Sequence, residues 1–161
     1  MNSLRVAGAL SALAVLAVAA HAASGVVVAK SAEVKGKAAA DLAAKYATVC
    51  GIKDWHPAVA ACDESKEGTS EFRTLTLKDG AKIKEKITSK SAEGYAYRIV
   101  ESPLPVKDYM ANFSIKDEGG NAKINWTASF QANGKPEAEA KTVIEGIFDG
   151  GLKNLAEIAA K

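Results

Sequence analysis

A series of alternating, strand-like segments that ends in one long amphipathic helix constrains the fold of this chain more than any other feature. Apolar side chains recur every three or four residues from about Pro136 to Ala160, which predicts the helix. A first strand, a helix and a turn or short second helix are predicted before the series, over residues 26–34, 37–49 and 52–57. This order predicts an α+β fold in which one antiparallel sheet wraps around the last helix.

Six further strands are predicted from alternation and from β-branched residues, over residues 58–64, 72–77, 81–89, 95–100, 106–115 and 122–131. Lys78-Asp79-Gly80 has the composition of a turn. Ser102-Pro103-Leu104-Pro105 interrupts the sheet, because proline cannot donate to a strand ladder. A sheet of about seven strands that curves around a helix tends to enclose a pocket.

The beginning of the chain is predicted to be a secretory signal peptide over residues 1–22, followed by one domain over residues 23–161. Arg5 precedes an apolar stretch, Val6–Ala20, and Ala20-His21-Ala22 fits an A-x-A cleavage site. The alternative, an uncleaved membrane anchor, is disfavoured because small residues rather than basic ones follow the apolar stretch. The protein is therefore expected to be exported, to the bacterial periplasm.

The charge balance gives no support for nucleic acid or an anionic membrane surface as a partner. The chain has 21 lysines and arginines against 19 acids, and removal of Arg5 with the leader leaves 20 against 19. An oxidising compartment favours a disulfide between the two cysteines, Cys50 and Cys62. Two buried thiols or a metal pair are the alternatives, and only His56 lies near enough in sequence to be a further ligand.

A candidate binding site follows from the strand over residues 81–89. Ile83, Glu85 and Ile87 alternate with three lysines, so one face is apolar and carries a single acid. This face is expected to point at the last helix, with Glu85 buried near Tyr97 or Tyr109. Burial would raise the pKa of Glu85 unless a cation is close, and the group could then act as an acid, a base or a hydrogen-bond anchor. A purely structural partner for a tyrosine or a lysine is the alternative.

The last helix contains glycines that leave space or allow close packing. Gly151 continues the row formed by Val143 and Ile147, so it lies above either a cavity or a tightly packed contact. Trp126 is predicted to be in the core or in the pocket wall. His56 is predicted to be structural or exposed, since no nucleophile or orienting acid accompanies it.

The element order resembles the START-like (SRPBCC) helix-grip superfamily, which includes Bet v 1-like proteins. The resemblance is carried by Asp54-Trp55-His56-Pro57, Leu77-Lys78-Asp79-Gly80 and Ser102–Tyr109. The resemblance extends over nearly all of the chain after the leader. Within the superfamily, the chain is most similar to the polyketide cyclase/dehydrase-type and MxaD-like branches. A loose likeness of this kind specifies a fold better than a function.

A more distant resemblance is to the plant abscisic-acid receptors. It implies a gate loop at Lys78-Asp79-Gly80-Ala81 and a latch loop at Leu104-Pro105-Val106. It also implies pocket positions at Glu85, Tyr97, Tyr109, Val143, Ile147 and Gly151. Those receptors hold a ligand carboxylate with a lysine, and the matching position here is Ala60. A carboxylate ligand held in that manner is therefore not implied.

Three functions are compatible with these features. The first is the binding of a small apolar or amphipathic molecule between the sheet and the last helix, with no cofactor and no metal. The resemblance to the MxaD-like branch implies the second, an accessory protein for a periplasmic oxidoreductase, which an exposed apolar patch around Pro103, Leu104 and Pro105 would favour. The third is a cyclase- or dehydratase-type enzyme that uses Glu85 with a tyrosine. Because the sequence contains no recognisable catalytic motif, the binding function is preferred.

Overall fold

The computed structural model describes residues 25–161, so the predicted signal peptide over residues 1–22 lies outside the described residues. The described part is a seven-stranded antiparallel sheet with two short helices and one long C-terminal helix. The predicted α+β helix-grip architecture, with short helices after the first strand, is confirmed.

The elements are β1 (Val26–Val34), α1 (Ala39–Tyr46), α2 (Ile52–Trp55), β2 (Val59–Glu67), β3 (Ser70–Leu77), β4 (Lys82–Lys90), β5 (Gly94–Glu101), β6 (Val106–Glu118), β7 (Asn121–Ala132) and α3 (Glu137–Ala159). In the sheet the strands lie in the order β1-β7-β6-β5-β4-β3-β2. Helix α3 packs on β1 and β7, and helix α1 packs on β6 and β7. None of the helices among residues 25–161 has the length and apolar character to cross a membrane.

The observed ends of α1, β2 and β3 differ from the predicted ones. Helix α1 ends at Tyr46 instead of Val49, because the carbonyl of Tyr46 accepts a hydrogen bond from the Trp55 indole and the chain then turns. Strands β2 and β3 run to a two-residue turn at Gly68, well beyond the predicted ends. Polar residues such as Glu67 and Ser70 form this extension, so alternation of apolar residues did not reveal it.

The β6–β7 hairpin was correctly predicted and is longer than expected. Gly119 and Gly120 both have positive φ angles, 65° and 85°, which a two-residue turn of the kind favoured in hairpins requires. The buried residues of α3 lie along one face of the helix, as its periodicity predicted: Ala140, Ile144, Phe148, Gly151, Leu152, Leu155 and Ala159. This face closes the concave side of the sheet.

Candidate functional site

A cavity lies between the concave face of the sheet and α3. Its lining is mostly apolar, and its volume is about 70 Å³. Six predicted ligand-binding residues line it: Ile83, Glu85, Tyr97, Tyr109, Trp126 and Ile147. The predicted inward face of β4 is observed, since Ile83, Glu85 and Ile87 are all buried.

The size of the cavity limits what can enter without rearrangement. One water needs roughly 10–15 Å³, and an engineered apolar cavity of about 150 Å³ admits benzene. At about 70 Å³ the cavity has room for several waters or a very small molecule. A larger ligand requires movement of the surrounding side chains or loops.

Glu85 forms a buried ion pair that the sequence interpretation did not include. The Nε of Arg73 donates to Oε2 of Glu85 at 2.5 Å, and these residues are 0% and 4% exposed. Arg73 and Glu85 face each other across β3 and β4. A sequence signal did exist, because Arg73 alternates with Leu75 and Leu77 and so belongs to the inward face of its strand.

Arg73 is held in place from three further sides. Its Nη1 donates to the carbonyl of Val49 and, at 2.8 Å, to the hydroxyl of Tyr95. The guanidinium carbon lies 4.7 Å and 4.9 Å from the ring centres of Tyr95 and Tyr97, within the range of cation–π contacts. Its Nη2 is the one buried side-chain nitrogen or oxygen in residues 25–161 that makes no hydrogen bond.

The electrostatics of the pair follow from these contacts. Burial raises the pKa of Glu85, and the neighbouring charge of Arg73 opposes this rise. Burial alone would lower the pKa of Arg73, yet Tyr95 and Glu85 together hold it above its ordinary value. Arg73 therefore stays protonated at any physiological pH, and Glu85 is the group that can neutralise it.

Two tyrosines and a tryptophan form the polar wall beside Glu85. The Nε1 of Trp126 donates to the hydroxyl of Tyr97 at 2.9 Å. The rings of Tyr97 and Tyr109 lie 6.0 Å apart. Burial raises the pKa of both phenols. Both hydroxyls consequently remain neutral and can donate as well as accept hydrogen bonds.

His56 also lines the cavity, next to Trp126, and both of its ring nitrogens are held by the backbone. Its Nε2 lies 3.1 Å from the carbonyl oxygen of Ile147, and its Nδ1 accepts from the backbone N–H of Ala58 at 3.2 Å. These bonds fix the tautomer with the proton on Nε2, which donates to α3. Burial lowers the pKa of the imidazole, so His56 is neutral at pH 7. Both nitrogens are engaged, which leaves neither for proton transfer.

Gly151 lies against His56 instead of lining the cavity. A Cβ at this position would stand 2.6 Å from Cδ2 of His56 and 3.0 Å from Cζ3 of Trp126. Close packing, the second of the two alternatives for this glycine, is what the structure contains. The other predicted helix residue outside the lining is Val143, whose place in the wall is taken by Ile144 one residue later.

The two predicted loops contribute unequally. Leu104 of the latch lines the cavity, whereas Pro105 is half-buried beside it. Asp79 and Gly80 of the gate are exposed and stand outside the lining, although the preceding Leu77 is part of it. The apolar ends of both loops therefore meet at the cavity, while the gate turn itself faces solvent.

The cysteines are joined. Cys50 and Cys62 form a disulfide with a Cα–Cα distance of 5.5 Å, which confirms the pairing. The bridge ties the segment after α1 to β2, next to Val49, whose carbonyl accepts from Arg73. Within residues 25–161 no group of three or more histidines, cysteines or acids is arranged to hold a metal ion.

Comparison with known proteins gives a family and a fold. The family described as polyketide cyclase / dehydrase and lipid transport matches residues 25–160. No functionally curated protein matches the sequence. Among solved structures, the protein XoxI from Bacillus cereus is 24% identical with a TM-score of 0.75, over 82% of this chain and 94% of that one.

Two further structures are similar. A putative uncharacterized protein from Bacillus thuringiensis is 22% identical with a TM-score of 0.77, over 84% of this chain and 100% of that one. The Zhui aromatase/cyclase from Streptomyces sp. R1128 is 15% identical with a TM-score of 0.66, over 84% and 93%. At these identities the solved structures establish the shared fold and leave the ligand open.

Proposed function

This chain belongs to the polyketide cyclase / dehydrase and lipid transport family, and we propose that it binds a small apolar or amphipathic molecule in the cavity between the sheet and α3. The observation that carries this proposal is the cavity itself. Its lining is apolar except for a few polar groups, which is the usual composition of a small-molecule site. Its volume of about 70 Å³ is below the roughly 300–1,000 Å³ that is usual for such sites, so the proposal requires the surrounding side chains or loops to move when the ligand enters. Export to the periplasm remains part of the proposal, and the disulfide supports it.

Native mass spectrometry of the protein purified from the producing cells tests binding directly. We expect an additional mass that dissociates on denaturation. Ile147→Phe places a larger side chain in the cavity and should reduce the occupied fraction. Val143→Phe, one helical turn earlier and outside the lining, is the matched control. If neither the purified protein nor a screen of apolar compounds gives a bound species, the binding proposal is wrong.

An accessory role beside a periplasmic dehydrogenase is the second candidate, and it has less support. This role predicts an exposed apolar patch around Pro103–Pro105, but Leu104 packs into the cavity wall. The large apolar side chains that are exposed within residues 25–161 are Val27, Val100 and Met110. Val27 and Met110 both pair with Ser129, so they lie near each other on the sheet. Loss of dehydrogenase binding in Met110→Lys, with the cavity unchanged, would favour this role.

A cyclase- or dehydratase-type activity is the third candidate. Glu85, Tyr97 and Tyr109 line one cavity, as this chemistry requires. The carboxylate is engaged by Arg73, however, and His56 has no free nitrogen. A binding role therefore uses the groups in their observed states, whereas catalysis requires Glu85 to leave its partner or to act through its second oxygen.

A further inference from the structure

The charges at the cavity indicate which class of molecule it accepts. Resting on the binding function proposed above, we infer that the ligand is a neutral amphipathic molecule, an alcohol or a phenol, whose hydroxyl group donates a hydrogen bond to Glu85. The same arrangement disfavours molecules with an ionised carboxylate or ammonium head group.

The buried charges at the cavity already cancel. Glu85 is the one formally charged side chain in the cavity lining, and Arg73 directly behind it supplies the opposite charge. His56 also lines the cavity but is neutral, because burial lowers its pKa. An ionised ligand would bring an uncompensated charge into an apolar space, which is costly.

One hydrogen-bond acceptor of Glu85 remains available to a ligand. The hydrogen bond described for Glu85 uses Oε2 alone, and Oε1 has no protein donor among residues 25–161. Oε1 is not fully buried, because Nη2 of Arg73 is the one fully buried side-chain nitrogen or oxygen in these residues that lacks a partner. A carboxylate oxygen accepts hydrogen bonds and, when ionised, cannot donate them. The complementary ligand group must therefore carry a proton, as a hydroxyl does. A hydroxyl can in turn accept from a tyrosine of the same wall, such as Tyr109.

A hydroxyl group avoids two conflicts that the charged head groups would meet at Glu85. A ligand carboxylate would meet the like charge of Glu85, and the lining provides no second cation to offset it. A ligand ammonium would compete with Arg73 for a carboxylate that is already neutralised at 2.5 Å. A neutral donor forms the charge-assisted hydrogen bond without either conflict.

Four probes of one size test the inference: hexan-1-ol, its isomer methyl pentyl ether, hexanoate and hexylammonium, all at pH 7.5. Binding is followed by NMR through the indole N–H of Trp126, which donates to Tyr97 inside the site. The alcohol should bind about tenfold more tightly than the ether, since only the alcohol can donate to a charged acceptor. It should also bind at least tenfold more tightly than either ion.

The outcomes separate this inference from the binding function. An ether that binds as tightly as the alcohol, or an ion that binds more tightly, overturns the inference and leaves the binding function standing. No binding by the four probes or by their propyl and octyl homologues, together with no copurified mass in native mass spectrometry, overturns the binding function itself.

A double variant, compared with a single control variant, tests whether Glu85 is the hydrogen-bond acceptor. Arg73→Met combined with Glu85→Gln keeps the site uncharged but replaces the carboxylate by an amide, so the alcohol-to-ether ratio should fall to about threefold or less, because neutral hydrogen bonds are about half as strong. Lys86→Met on the same strand removes a cation outside the lining and should leave the ratio unchanged. An unchanged ratio in the double variant would place the hydroxyl elsewhere and overturn the inference.

Discussion

Removal of one member of the Arg73–Glu85 pair should destabilise the protein far more than removal of both. The sequence alone suggests that Glu85→Gln is mild, because glutamine keeps the shape of the side chain. The structure reverses this expectation. Glu85→Gln leaves the guanidinium of Arg73, which is 0% exposed, without its counter-charge, and arginine cannot release its proton.

The magnitude follows from burial and distance. The pair is in direct contact at 2.5 Å and both members are buried. Loss of one partner of such a pair costs about 3–5 kcal/mol. In a domain of this size that corresponds to a fall in melting temperature of about 10–20 °C. Replacement of both partners by neutral side chains is often close to neutral. We expect the double variant to lose about 1–3 kcal/mol of stability, because the Val49 carbonyl loses its hydrogen-bond donor.

The two single variants should also differ in their response to pH. In Arg73→Met, Glu85 loses the cation that opposes the rise of its pKa, and burial raises that pKa further. A carboxyl whose pKa is raised in the folded state binds protons more strongly there, so the stability of this variant should fall as the pH rises from 5 to 8. The stability of Glu85→Gln should not recover at low pH, because Arg73 remains charged from pH 5 to 8.

A double-mutant cycle measured by urea unfolding at pH 5, 6.5 and 8 tests this reasoning. We expect Glu85→Gln to be the least stable protein at pH 5, Arg73→Met to recover at that pH, and the double variant to exceed both single variants at pH 8. Additive losses in stability would refute the coupling between the two residues. An Arg73→Met variant without pH dependence would refute the proposed titration of Glu85.

Further predictions concern the packing, the histidine and the disulfide. Gly151→Ala should lower the free energy of unfolding by about 1–3 kcal/mol through overpacking against His56. Gly150→Ala should raise it by up to about 1 kcal/mol, because a Cβ at this position meets open space. Equal effects of the two substitutions in thermal unfolding would contradict this prediction. Burial lowers the pKa of His56 in the folded protein, so the unfolded chain takes up a proton at a higher pH. Stability should therefore be lost as the pH falls below about 6.5. An NMR titration that gives His56 a pKa of about 6.5 or higher would contradict this. Denatured, unreduced protein should show no free thiol, and Cys50→Ser together with Cys62→Ser should cost about 3 kcal/mol in urea unfolding.

Much of the fold could be read from the sequence, because it depends on periodicity within short segments. The alternation of Ile83, Glu85 and Ile87 against lysines determined the inward face of β4, and the apolar stripe of α3 determined which side of the helix meets the sheet. The disulfide was favoured by the predicted compartment and is present. The two periodic patterns need only the order of residues along one element, and the disulfide was inferred from the presence of two cysteines in an oxidising compartment.

The partners across elements were decided by the tertiary structure. Strand register places Arg73 opposite Glu85, and this register depends on turns and bulges that alternation does not encode. The same holds for His56, which bonds to Ile147 ninety-one residues away and fills the space under Gly151. A glycine in the sequence shows that a side chain is missing, but only the assembled structure determines whether a ligand or a neighbouring ring takes its place.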